Sequence, residues 1–236
     1  KWKNNEISTI NLNTNLLRVI LDHSVRFKSK IIYASSAAVY ELSNGKSLIN
    51  EKSKLTVGKF DNEIIYANSK IIGEQLCRLY KEKFKIPVNV IRPAHTYGPG
   101  QDFNDPRIIP QLIKRAFLNR HIHIYDKGLS VRTWGYIADV TTMILNIAQF
   151  GKSLIYNVSG KNHKSIIEIT RIISKIFKNK KIVIKKKNLD YTNFKPTTLK
   201  ISSKKYNTEF KNNSHISFFN GIKRTIKWNK LWQKLN

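Results

Sequence analysis

The sequence predicts an α/β fold built on a parallel sheet. Two observations carry this: short apolar runs alternate with stretches of helical periodicity, and the runs stop at Ser or Pro residues that open polar loops. In chain order, the apolar spacing over residues 12–21 predicts a helix. Residues 30–34 then read as a short buried strand ending at Ser35 and Ser36. A loop rich in Asn, Gly, Lys and Ser follows. From Tyr66 the spacing of Ile71, Ile72, Leu76 and Leu79 predicts a second helix. Pro87 introduces a strand over residues 88–91 that Pro93 halts. Helices are expected over 108–118 and 137–150, a strand over 154–158 and a helix over 166–177. Past Ile184 the signal fades into polar, Lys-rich sequence, and residues 218–232 offer a last amphipathic segment. No internal repeat is visible.

The 236 residues carry 43 Lys and Arg against 15 Asp and Glu, a net charge of +28, with 41% hydrophobic residues. That apolar content supports a packed core. No run approaches the roughly 20 apolar residues of a membrane-spanning helix. A single Cys77 excludes a disulfide framework and a multi-cysteine metal site, no metal is expected, and a reducing cytoplasm is the expected compartment. The positive charge invites nucleic acid, yet 33 of the basic residues are Lys and 10 are Arg, whereas base-edge and phosphate recognition favour the planar guanidinium. An A- and T-rich coding sequence would give the same Lys, Asn and Ile richness. The charge is uneven: residues 1–150 hold 22 basic and 12 acidic groups, residues 151–236 hold 21 and 3.

Open parallel sheets bind ligands at the carboxyl ends of their strands, and two such ends are chemically loaded. One delivers SSAAVY at 35–40, the other RPAHTYGPG at 92–100. Between them lies YANSK, 66–70, where a helix places Tyr66 and Lys70 on one face. A phenol near pKa 10 is a poor base at neutral pH, but an adjacent ammonium favours its ionised form, so together they form a general base. The spacing alone is weak, since ten tyrosines in a chain about one-seventh Lys give about one or two such matches by chance. Tyr191 and Lys195 form a second. Only Tyr66 follows a strand-end Ser pair and begins a convincing helix.

The order of these motifs resembles the extended short-chain dehydrogenase/reductase family, in its NAD-dependent nucleotide-sugar epimerase/dehydratase branch. Further carriers are NLNTNLL at 11–17, IYDKG at 124–128, VRTWGYIAD at 131–139 and YNVSG at 156–160. The resemblance covers nearly the whole chain. It implies a Rossmann-like parallel sheet with a smaller carboxyl-terminal α/β substrate domain: residues 1–100 as part of the NAD-binding domain, and 101–236 mainly substrate-binding, with 137–160 returning to the first. Tyr66 would be the catalytic acid/base, Lys70 would hold the nicotinamide ribose, and Ser36 would hydrogen-bond the sugar hydroxyl. Ser35, Pro93 and His95 are expected along the NAD, together with Tyr66 and Lys70. Ala37, His95, Arg107, Tyr125 and Arg132 are expected with Ser36 around the nucleotide sugar, Arg132 at its diphosphate and Tyr125 near its base. Asp139 reads as a helix-start cap. A homodimer through two helices, one starting at Tyr66, is implied.

Two departures bear on the reaction. No GxxGxxG or GxGxxG occurs, nor the acidic residue that grips the adenosine ribose, so the chain is expected to be the carboxyl-terminal two-thirds or so of an enzyme of roughly 300 residues. Dehydratase-type relatives carry Asp-Glu after the catalytic hydroxyl residue, and decarboxylases keep the Glu; here Ala37 and Ala38 stand there and transfer no protons. An epimerase or simple oxidoreductase is therefore expected, with a dehydratase or decarboxylase as the alternative. From other classes, a basic nucleic-acid binder using Lys178, Lys180, Lys181, Lys185, Lys186 and Lys187, or an inactive remnant, stays open.

Overall fold

The computed structural model describes residues 5–40, 48–56, 64–102, 104–118, 121–125, 127–178, 182–185, 196–212 and 214–235. The first helical stretch is longer than its apolar spacing predicts. It joins α1 (Glu6–Asn11), a π-helical turn (Leu12–Leu16) and α2 (Leu17–Phe27). Leu17, Leu21 and Ser24 form its buried stripe, and Lys28 ends it in the left-handed conformation, φ 52°. In the π turn, Asn13 donates to Ser69 Oγ at 3.0 Å, and Ser69 donates to the Tyr66 carbonyl at 2.8 Å.

Strands β1 (Ile31–Ala34), β2 (Val88–Pro93) and β6 (Ile155–Val158) make a parallel sheet in the order β1-β2-β6. All of β2 up to Pro93 is buried, as expected of a strand covered on both faces. Pro93 pairs opposite Val158 as the strand's last residue, so the strand includes the proline; the Ala94 N–H takes up the ladder beyond it, 2.9 Å from the Val158 carbonyl. Helix α3 (Ile65–Phe84) and helix α5 (Ile137–Phe150) pack on this sheet.

A second sheet has the order β3-β5-β7: β3 (His95–Tyr97) lies parallel to β5 (Val131–Tyr136), and β7 (Asn162–Ser165) antiparallel to it. The two-residue strand β9 (Thr198–Leu199) adds to β5, and β4 (Ile122–Tyr125) pairs with β8 (Ile182–Lys185). Helices α4 (Ile108–Phe117), α6 (Ile166–Ile176) and α8 (Phe218–Leu235) gather around Trp134, Tyr136 and Tyr97 in one apolar cluster. Ser165 starts α6 with a reciprocal capping box to Glu168, which satisfies two orphan N–H groups. The short α7 (Lys204–Phe210) packs on β6. Asp139 is not the cap of α5. Tyr136 holds that position without a side-chain bond, and the Asp139 carboxylate instead accepts from the Ile216 N–H at 2.9 Å, tying α5 to the segment before α8.

Candidate active site

Beyond β1 the chain alternates strictly: Tyr33, Ser35, Ala37 and Val39 are buried while Ala34 and Ala38 are exposed and Ser36 is half-buried. The Ser35 hydroxyl turns inward and donates to Glu74 at 2.5 Å. The Ala37 methyl, 3% exposed, packs with Val39, Ile49, Ile71 and Ala94. Ser36 caps a single 3-10 turn (Ala37–Val39), its Oγ accepting the Ala38 N–H at 3.1 Å. Its hydroxyl proton remains to be donated.

Tyr66 and Lys70 share one face of α3. The Lys70 ammonium donates to the Ala34 carbonyl at the end of β1, 2.8 Å. It lies 5.1 Å from the Tyr33 ring centroid and 5.8 Å from that of Tyr66. Burial lowers the Lys70 pKa, because desolvation disfavours the charged form. The aromatic faces and the carbonyl offset part of that cost. Gly73, one turn on, makes room for this arrangement: a Cβ there would stand 2.1 Å from the Tyr33 hydroxyl.

Glu74 continues the Tyr66, Lys70 stripe and was not singled out by sequence, although its spacing of eight from Tyr66 carries the signal. It holds Arg92 of β2 through two hydrogen bonds. Arg92 also donates to the Tyr40 hydroxyl at 2.9 Å, and Tyr40 donates to Asn157 of β6 at 2.6 Å. The Asn157 N–H reaches Glu51 at 2.8 Å. This buried network fastens the Ser36 turn, α3, β2 and β6 to one another.

Ala37, Ile71 and Ala94, the chain neighbours of Ser36, Lys70 and His95, belong to one core cluster. Pro93 is half-buried at the end of β2. His95 opens β3, its ring 5.2 Å from the Trp134 ring. Burial first, then the Arg132 and Arg107 charges, push its pKa down to about 4, so it is neutral at pH 7. Arg132 donates to the Thr197 carbonyl at 2.8 Å and to its hydroxyl at 2.7 Å. Desolvation lowers its pKa, and no ion pair to it is formed among the described residues. Asp105 grips the Arg107 guanidinium, with Nε at 2.8 Å and Nη2 at 2.5 Å. The Tyr125 side chain lies outside the described residues, as do the Tyr191 to Lys195 pair and Lys180, Lys181, Lys186 and Lys187 of the basic cluster.

A family model described as the NAD dependent epimerase/dehydratase family matches residues 2–159. Human dTDP-D-glucose 4,6-dehydratase is 29% identical over 230 residues, 94% of this chain and 62% of that protein. A Streptomyces dTDP-4-dehydro-6-deoxy-D-allose reductase is 30% identical over 163 residues, 68% of this chain and 48% of that one. The chain thus spans about half to three-fifths of the length of these relatives. Among solved structures, dTDP-glucose 4,6-dehydratase from Bacillus anthracis with NAD superposes with a TM-score of 0.83 at 23% identity, covering 97% of this chain and 70% of that one. UDP-glucuronic acid 4-epimerase from Bacillus cereus, with UDP-glucuronic acid and NAD, gives 0.78 at 22% identity, covering 93% and 68%. These likenesses show the Rossmann-like fold.

Proposed function

As the chain belongs to the NAD dependent epimerase/dehydratase family, we propose that within the complete protein it works on a nucleotide sugar, as an epimerase passing through a transient keto sugar. The observation that carries this reading is the Lys70 ammonium, fixed between the Ala34 carbonyl and the Tyr33 and Tyr66 rings at the strand end that also presents Ser36.

The residues present fit one end of NAD. Lys70 spends one of its three donors on Ala34 and keeps two for ribose hydroxyls, with Pro93 and His95 along the same edge. The pyrophosphate-cradling Gly-rich turn is not in this sequence. When bound, NAD supplies a hydride acceptor and donor. Tyr66 takes the sugar hydroxyl proton as the carbon is oxidised and gives it back on reduction. Lys70 stabilises the phenolate that accepts this proton, and Ser36 donates to the sugar oxygen. Arg132, half-buried and without a carboxylate partner among the described residues, binds the diphosphate, while neutral His95 stands beside it as a hydrogen-bonding group. Arg107 joins them on release from Asp105.

The complete protein tests this: with NAD and nucleotide hexoses it interconverts epimers, and Tyr66→Phe abolishes turnover while leaving nucleotide binding intact. Wild-type turnover by the Tyr66→Phe protein would rule the assignment out. A simple oxidoreductase is the second reading, supported by the same absence of proton-transferring side chains at Ala37 and Ala38.

A further inference from the structure

We propose that a cavity on the side of β5 away from Trp134 is a binding site for a sugar phosphate, separate from the nucleotide-sugar cleft. The cavity has a volume of about 330 Å³ and is lined by Lys161, His163, Ser202, Ser203, Lys204 and Asn207 among others, with no acidic residue in its wall among the described residues. Four observations define the ligand.

First, cations converge there. Lys161 and Lys204 line the cavity. Ammonium groups gathered around a concave wall focus a positive field, and a phosphate relieves their mutual repulsion.

Second, His163 is anchored in the cavity wall. The Ile201 N–H donates to Thr133 Oγ1 at 2.7 Å, and that hydroxyl lies 2.8 Å from His163 Nδ1 and 3.4 Å from the Leu199 carbonyl. Burial first, then the Lys200 and Lys164 charges, lower the His163 pKa, and an anion bound against the ring opposes that shift.

Third, the Asn207 carbonyl oxygen is buried and has no hydrogen-bond partner among the described residues. A buried acceptor left unsatisfied is costly, and a ligand hydroxyl satisfies it. Fourth, Thr133 alternates with Arg132 and Trp134 along β5, so the cavity and the His95 cleft lie on different faces of one strand. A phosphate for the lysines and His163, plus hydroxyls for Asn207, describes a sugar phosphate.

The experiment titrates the isotope-labelled chain with ribose 5-phosphate, inorganic phosphate and ribose at constant ionic strength, following the His163 imidazole by NMR. Ribose 5-phosphate is expected to shift it saturably, inorganic phosphate more weakly and ribose not at all. The double variant K161Q/K204Q, changed at two exposed positions, should weaken binding at least tenfold without moving the thermal midpoint, whereas Arg132→Gln should not weaken it. No saturable shift, or binding indifferent to K161Q/K204Q, overturns the site in favour of dispersed ion binding. Loss on Arg132→Gln places the ligand in the cleft instead, and equal affinity for inorganic phosphate overturns the role of Asn207.

Discussion

Arg92 and Glu74 meet as a two-pronged ion pair, Nε to Oε1 at 2.8 Å and Nη2 to Oε2 at 2.5 Å, with 2% and 4% of their side chains exposed. Burial opposes the Arg92 charge, but its bonds to Glu74 and Tyr40 outweigh that and raise its pKa. Such a pair adds little net stability, because desolvation consumes the Coulomb gain, yet removing one partner strands the other. Arg92→Met should therefore cost about 3–5 kcal/mol in urea unfolding, and Arg92→Met with Glu74→Met should recover most of it. A double variant as unstable as the single would show that packing, not charge, is what Arg92 supplies.

Gly73 gives a prediction opposite to helix propensity. Ala is favoured over Gly in a helix interior by about 1 kcal/mol. Here the added methyl meets the Tyr33 ring at 2.1 Å and 2.5 Å and the Asn13 carbonyl at 3.0 Å. Overpacking of this kind costs about 1–3 kcal/mol. Gly73→Ala should lower the thermal midpoint and, by pushing Tyr33 from Lys70, reduce turnover of the complete enzyme. A raised midpoint would contradict the packing described for α3 against β1.

His95 is neutral in the folded protein down to about pH 4, whereas an unfolded histidine takes its proton near pH 6.5. Between those values the unfolded state binds the extra proton, so stability falls as pH drops through the window and is unaffected above it. His163 and His215 are lowered as well, both first by burial, and act in the same sense. His95→Asn should flatten the acid slope of the thermal midpoint relative to wild type. Pyrophosphate bound at Arg132 should raise the His95 midpoint seen by NMR, and an unchanged midpoint would separate His95 from the anion site.

Leu12, Leu16, Val19 and Ile20 on the first helical stretch, and Ile72 and Leu79 on α3, are exposed apolar residues on adjacent helices. Apolar surface on neighbouring helices suits an interface, and an isologous helix pairing would cover both. The chain is expected to sediment as a dimer. Ile20→Glu with Leu79→Glu should give monomers of unchanged circular dichroism. A wild-type monomer at every concentration would count against the pairing.

The parallel-sheet core was legible because β1, β2 and β6 are apolar runs between strongly periodic helices. The second sheet was not: β7 reads Asn162, His163, Lys164 and Ser165, with no apolar residue, and β9 has two residues. Their pairing to β5 is tertiary. Helix ends were hidden because Lys28, Lys85 and Lys211 take the left-handed conformation that Gly normally signals. Tyr66, Lys70 and Ser36 stood out by motif order. The inward turn of Ser35 continues the period of two that begins in β1, a signal present in the sequence, whereas Ala37 opens a 3-10 turn. The Arg92 to Glu74 pairing needs two elements brought together by folding, and no local pattern announces it.

Ala38 bears on the proposed epimerase reading. It is exposed beside Ser36, while Ala37 is buried, so of the two positions only Ala38 faces outward, and a methyl there neither donates nor accepts a proton. Eliminating water from a sugar requires an acid for the leaving hydroxyl and a base for the neighbouring carbon proton. His95, with a pKa of about 4, is a poor acid source at neutral pH because almost none of it is protonated. The complete protein given dTDP-glucose and NAD should therefore yield no product lighter by one water, read by mass spectrometry, while epimerised or oxidised sugar accumulates. Appearance of a 4-keto-6-deoxy sugar at wild-type rates would assign the elimination to a side chain other than these and overturn the epimerase reading.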